Sequence, residues 1–174
     1  AGASSRLLYD YEPSIRSDIL DMLFTPRLGW AYQILKIETG GDCQSTWGTE
    51  PSYAHTADDI GWDRGYEWWL AKEAKARNPK IALASLSWCV PGWIEGGGLS
   101  PGDVNYHVEW VRGAKEHHNL TLDYVGVLNE ASFTAEYIIS LRTALDEAGF
   151  RKTKLIASDQ VGWDIYDAIA KNVT

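Results

Sequence analysis

A chain of 174 residues, 45% hydrophobic and 23% charged, is long enough to bury one core and too apolar to be a disordered or fibrous segment. Lys and Arg number 16 against 24 Asp and Glu, for a formal charge of −8; that field repels phosphate backbones and anionic bilayers, so no nucleic acid partner is expected. No apolar run approaches the roughly 20 residues that a membrane-spanning helix requires, so no transmembrane segment is expected, and the opening at Ala1 without Met or leader reads as a mature or excised segment.

Pro13-Ser14 is a helix start, and Ile15, Ile19, Met22 and Leu23 then fall on one face at i, i+4, i+7 and i+8. Ala31 to Glu38 reads as a strand. The polar, Gly- and Thr-containing stretch from Glu38 to Asp63 is longer than most connections, which places it at a binding face. Asp63 is the expected N-cap of a helix from Arg64 to Ala76, closed by Asn78-Pro79, after which Ile81 to Ser87 is a buried strand. The unit then repeats. Asp103 is read as the cap of a helix whose Val104, Val108, Val111 and Ala114 share a face, and the strand Tyr124 to Asn129 follows. Thr134 to Ala148 is helical, striped by Ile138, Leu141 and Leu145 and stopped by Gly149. Leu155 to Ser158 begins a fourth strand before a last helix near Ile165.

Strands alternating with amphipathic helices predict an α/β fold with a parallel sheet, reached through right-handed βαβ units. Residues 1–174 form one continuous domain in this reading. A doubly wound sheet and a (β/α)8 TIM barrel share the alternation, but a barrel takes about 250 residues and eight strands. With four strands, a barrel here is an incomplete portion.

In either architecture functional groups gather where strands end and loops begin. The four strands end in Glu38, Ser87-Trp88, Asn129-Glu130 and Ser158-Asp159. Glycoside hydrolysis commonly uses two carboxyl groups flanking the scissile bond, one protonating the departing oxygen. Glu130 suits that acid role, and Asn129 can hold a sugar hydroxyl. Nine Trp and nine Tyr are many for this length; sugars stack on such rings, although most of them are expected to pack in the core. His55, His107, His117 and His118 lack ligand spacing, so no metal is expected, and nothing calls for a cofactor. Cys43 and Cys89 are too few for a disulfide framework and leave the compartment open. The triplets Asn119-Leu120-Thr121 and Asn172-Val173-Thr174 are acceptor sequons compatible with a secretory route.

Five segments carry a family resemblance: Gly2 to Leu8 (GASSRLL), Gly40 to Ser52 (GGDCQSTWGTEPS), Arg64 to Leu70 (RGYEWWL), Trp88 to Trp93 (WCVPGW) and the pair Asn129-Glu130. In order and spacing they resemble the galactocerebrosidase family, glycoside hydrolase family 59. The resemblance implies a (β/α)8 barrel that removes galactose from galactosylceramide with retention, through a covalent glycosyl-enzyme intermediate. By motif, Glu130 is then the catalytic acid/base, and Thr46, Trp88 and Asn129 bind the substrate. It further implies a galactolipid or galactoside substrate, a lysosomal or secreted location, and a setting in which a lipid-presenting activator protein could be a partner.

The family's nucleophilic glutamate lies on a later strand, so it is expected beyond Thr174, and the first barrel strand is expected before Ala1. Glu38, Asp42 and Asp159 are set aside as the second carboxylate. Two alternatives stay open. One is a related barrel glycosidase, glucosylceramidase-like or xylanase-like, and the other is a non-catalytic carbohydrate-binding remnant.

Overall fold

A computed structural model describes residues 4–44, 48–157 and 159 of the chain. Within them, two helices, α1 (Ser5–Tyr9) and α2 (Pro13–Phe24), precede an alternation of strand and helix. The order continues β1 (Ile34–Thr39), α3 (Glu67–Arg77), β2 (Ala82–Ser87), α4 (Pro101–His118), β3 (Tyr124–Leu128), α5 (Ala135–Glu147) and β4 (Lys154–Ile156). All four strands pair in parallel in the order β1-β2-β3-β4. A doubly wound sheet reverses its strand order at a switch point; this one advances without reversal, as a barrel wall does. The expected helix near Ile165 falls outside the described residues.

Alternation along the strands separates two faces. Leu35, Ile37, Leu83 and Val125 point to the helical layer and are buried with Leu141 and Leu145 of α5 and Val111 and Ala114 of α4. Ile34 and Ile156 lie on the opposite face at the two edges, 59% and 39% exposed.

Three local expectations are corrected. The buried residues of α2 are Leu20 and Phe24, whereas Ile15 and Met22 are 49% and 52% exposed. Both stripes satisfy the 3.6 period; the choice is made by α3, whose Arg77 donates to Asp21 at 2.6 Å and to Ser17 at 3.2 Å and so turns that side of α2 inward. Asp63 does not cap α3. The N–H groups of Tyr66 and Glu67 donate instead to Glu50 Oε1 at 2.9 and 3.2 Å, a cap contributed from sixteen residues upstream. At α4 the cap is Ser100, whose Oγ accepts the Asp103 N–H at 3.2 Å while Asp103 Oδ2 accepts the Leu99 N–H at 2.8 Å. Asp103 thus reaches one residue past the cap, to Leu99 rather than to Ser100 itself, and Pro101 stands at the first helical position.

Candidate active site

Strand register sets the geometry of the strand-end face. Thr39 pairs with Ser87 and Ser87 with Leu128, after a shift between Ser85 and Ser87 that lets β3 gain one residue on β2. Gly40, Trp88 and Asn129 therefore leave the sheet level with one another. The Asn129 N–H donates to the Ser87 carbonyl at 2.7 Å, and the next N–H, of Glu130, donates to the Asp159 carbonyl at 2.8 Å. Glu130 has φ 52°, in the left-handed region that costs a non-glycine residue about 1–2 kcal/mol. Its side chain is exposed and that of Asn129 half-buried.

Trp88 is half-buried, and the Lys36 ammonium lies 5.6 Å from its ring centroid, a cation–π contact worth about 0.5–2 kcal/mol. Lys36 is four residues before Gly40 on β1, on the same face of the sheet; a charge inside an apolar strand was the signal that could have marked it. Trp88, Asn129 and Glu130 are thus brought to one face by β2 and β3. Thr46 lies outside the described residues.

The loop after β1 that bears Thr46 is anchored on both sides. A disulfide joins Cys43 to Cys89, beside Trp88, across a sequence separation of 46. In the loop-entropy account a closure of that length stabilises the fold by about 4 kcal/mol. Asp42 accepts both the N–H and the hydroxyl of Ser52, at 2.8 and 2.5 Å, and lies 2.8 Å from His55 Nδ1. Burial alone would raise its pKa, but the bonds from His55 and Ser52 outweigh it and hold the carboxyl below its ordinary value. Asp42 is a loop clamp rather than a reacting group. Asp159 meets Glu130 through its backbone carbonyl.

Sequence reasoning passed over Glu50 and Glu67. With Glu38 they form a cluster of three carboxyl side chains, each 2–3% exposed. Ser5 donates to Glu67 Oε1 at 2.6 Å, the Glu38 N–H reaches Glu67 Oε2 at 3.3 Å, and Glu50 Oε1 caps α3. Burial first, and then the negative charge of Glu67, push Glu50 up to about 8. Burial likewise pushes Glu67 up to about 7. Both acids stand in segments already singled out as motifs; what hid the cluster is that its members are brought together only by the fold.

A sequence profile of Glycosyl hydrolase family 59 matches residues 1–174. The chain belongs to that family. The galactocerebrosidase of Danio rerio is 51% identical over 173 residues, covering 97% of this chain and 26% of that protein. That of Homo sapiens is 50% identical over 173 residues, covering 96% and 25%. This family 59 chain spans about a quarter of the length of these relatives. Among solved structures, the endo-beta1,6-glucanase BT3312 superposes with a TM-score of 0.73 at 19% identity, over 99% of this chain and 49% of that one. The catalytic domain of GH30 xylanase C from Talaromyces cellulolyticus gives 0.69 at 20% identity, over 98% and 48%. At such identities the likeness is one of fold, and it settles the architecture: the four strands are a portion of a (β/α)8 barrel.

Proposed function

We propose that residues 1–174 are part of the catalytic domain of a retaining glycosidase that removes galactose from a galactosylceramide-type galactolipid, with Glu130 as general acid/base. The observation that carries this reading is the placing of Asn129-Glu130 level with Trp88 at the strand ends, in a chain about half identical to galactocerebrosidases. Glu130 protonates the glycosidic oxygen as the bond to the lipid breaks, and then takes a proton from the water that releases the sugar. Asn129, Trp88 and Thr46 hold the galactose ring. The attacking carboxylate comes from a part of the full-length protein outside residues 1–174, about 5–5.5 Å from Glu130. The disulfide between Cys43 and Cys89 supports a lysosomal or secreted location, since such bonds persist in oxidising compartments. A bilayer-embedded substrate gives a lipid-presenting activator protein a role as partner.

The test is Glu130→Gln in the full-length protein, assayed on a galactoside with a poor leaving group and on an activated aryl galactoside. Loss on the first by about 10²- to 10⁴-fold, with cleavage of the activated aryl galactoside much less affected, is the expected result. Equal loss on both substrates removes Glu130 from the acid role. Glucosides and xylosides serve as the comparison that separates galactose specificity from a related barrel glycosidase.

A further inference from the structure

Helix α4 ends at Asn119, which takes the left-handed conformation with φ 54° and ψ 31°. The reversal is held by two bonds, from the Asn119 N–H to the Lys115 carbonyl at 3.2 Å and from the Leu120 N–H to the Ala114 carbonyl at 2.9 Å. Asn is one of the few residues that accept this backbone readily. The turn drives Leu120 into the core, where it is buried, and leaves Asn119 and Thr121 exposed on either side of it. The amide and the hydroxyl of the Asn-Leu-Thr triplet thus both belong to exposed residues. Lys115 Nζ donates to Asn119 Oδ1 at 3.4 Å, a contact in which Nδ2 takes no part.

An exposed triplet matters only in a chain that meets the glycosylation machinery. The Cys43–Cys89 disulfide is an independent sign of maturation in an oxidising lumen. From these two observations we propose that Asn119 is an N-glycan attachment site. The reaction forms a bond from Asn119 Nδ2 to the anomeric carbon of an oligosaccharide carried on a lipid pyrophosphate. The bond from that carbon to the pyrophosphate oxygen breaks, the lipid pyrophosphate leaves, and the amide gives up one proton. Thr121 supplies the hydroxyl by which the transferase recognises the acceptor.

The position is compatible with the strand-end face remaining open. Asn119 precedes the N-terminal end of β3, whereas Asn129 and Glu130 follow its C-terminal end. Beside the turn is a groove of about 370 Å³ whose walls include Thr121, Lys115, Phe150 and Arg151. The first sugars would lie along it, with an aromatic ring and two cationic donors to meet their hydroxyls.

The intact gene product is expressed in a eukaryotic secretory host, recovered from the lumen or medium, and digested with trypsin. The peptide 116–142 is then read by mass spectrometry before and after enzymatic glycan release in heavy-oxygen water. The expected result is a glycan on Asn119, converted to labelled Asp on release, lost in Asn119→Gln and Thr121→Ala and retained in Thr121→Ser. Because Asn119→Gln disturbs a left-handed residue, Thr121→Ala, which keeps Asn119, decides the matter if the first variant misfolds. An unmodified Asn119 in recovered wild-type protein overturns the proposal, as does wild-type protein found only in the cytosol.

Discussion

Replacing Glu50 by Gln should make the fold less sensitive to rising pH. Glu50 is buried, and its folded pKa of about 8 stands above the ordinary value of 4.5 because burial and the charge of Glu67 disfavour its ionised form. Between those two values the folded state binds more protons than the unfolded one, so the free energy of unfolding falls as pH rises. The contribution is whole below pH 4.5 and is lost progressively as pH climbs through about 8. With about 1.4 kcal/mol for each tenfold change, the loss is about 3 kcal/mol by pH 7 and approaches about 5 kcal/mol above pH 8. Gln keeps an acceptor for the Tyr66 and Glu67 N–H groups but cannot ionise. Urea unfolding of the full-length protein, followed by tryptophan fluorescence from pH 4.5 to 8.5, should show wild type and variant alike at the acidic end. At pH 8 the variant should be the more stable by a few kcal/mol. A variant with the wild-type pH slope, or one less stable at pH 8, would refute the reasoning.

Two further outcomes follow from the strand-end face. Trp88→Ala and Thr46→Val should each weaken binding of galactose-like iminosugars by about 1–3 kcal/mol through a lost partner or packing surface, and unchanged inhibition constants in both would place these residues outside the site. Cys43→Ser should lower stability by about 2–4 kcal/mol and raise the hydrogen exchange of residues 41–53, because the disulfide ties that loop to Cys89; an unaltered exchange pattern would show that Asp42 and its partners hold the loop alone.

Much of the fold was legible because strand and helix periods are local properties. Runs such as Ile81 to Ser87 and Tyr124 to Asn129 announced β2 and β3 to within a residue or so, and Thr134 and Gly149 bracketed α5 through cap and stop. Of the misread helix starts, that of α4 was local, since its cap Ser100 stands directly before Pro101, whereas that of α3 has a cause outside the helix. Asp63 looked like a cap because it stands directly before a helix expected from Arg64, but α3 begins at Glu67, and Glu50 arrives from across the loop to take the free N–H groups. The orientation of α2 was equally hidden, since Arg77 selects the inward side from outside that helix. At the candidate site, Trp88, Asn129 and Glu130 were marked by residue type and strand-end position. The bond from Cys43 to Cys89 and the meeting of Ser5, Glu38, Glu50 and Glu67 depend on contacts dozens of residues apart, which no local pattern reveals.

Behind the strand-end face, Ser87, His107 and Asp103 stand in the order of a nucleophilic triad: His107 Nε2 is 3.1 Å from Ser87 Oγ, and Nδ1 is 2.9 Å from Asp103 Oδ1. Triads work by exposing the hydroxyl to a substrate carbonyl. Here Ser87 and Asp103 are 0% exposed and His107 1%, so no substrate can approach, and the arrangement serves packing instead. Asp103 also accepts the Tyr137 hydroxyl at 2.8 Å and the Leu99 N–H, linking β2, α4 and α5 behind the strand end that bears Trp88. Burial pushes the His107 pKa down, but Asp103 more than offsets this and leaves it raised. Burial pushes Asp103 up, but its bond to His107, ahead of those from Leu99 and Tyr137, brings it below its ordinary value. The pair is therefore ionised. Its stabilisation is lost as pH rises through the folded pKa of His107, and separately as pH falls through that of Asp103. Asp103→Asn leaves a buried imidazolium without its counter-charge and should cost about 3–5 kcal/mol. Ser87→Ala, which removes one hydrogen bond, should cost about 1 kcal/mol. Urea unfolding at pH 6 measures both, and a fluorophosphonate probe tests Ser87 directly: labelling of that hydroxyl in the folded protein, or a cost below 1 kcal/mol for Asp103→Asn, would show that the network is neither closed nor structural.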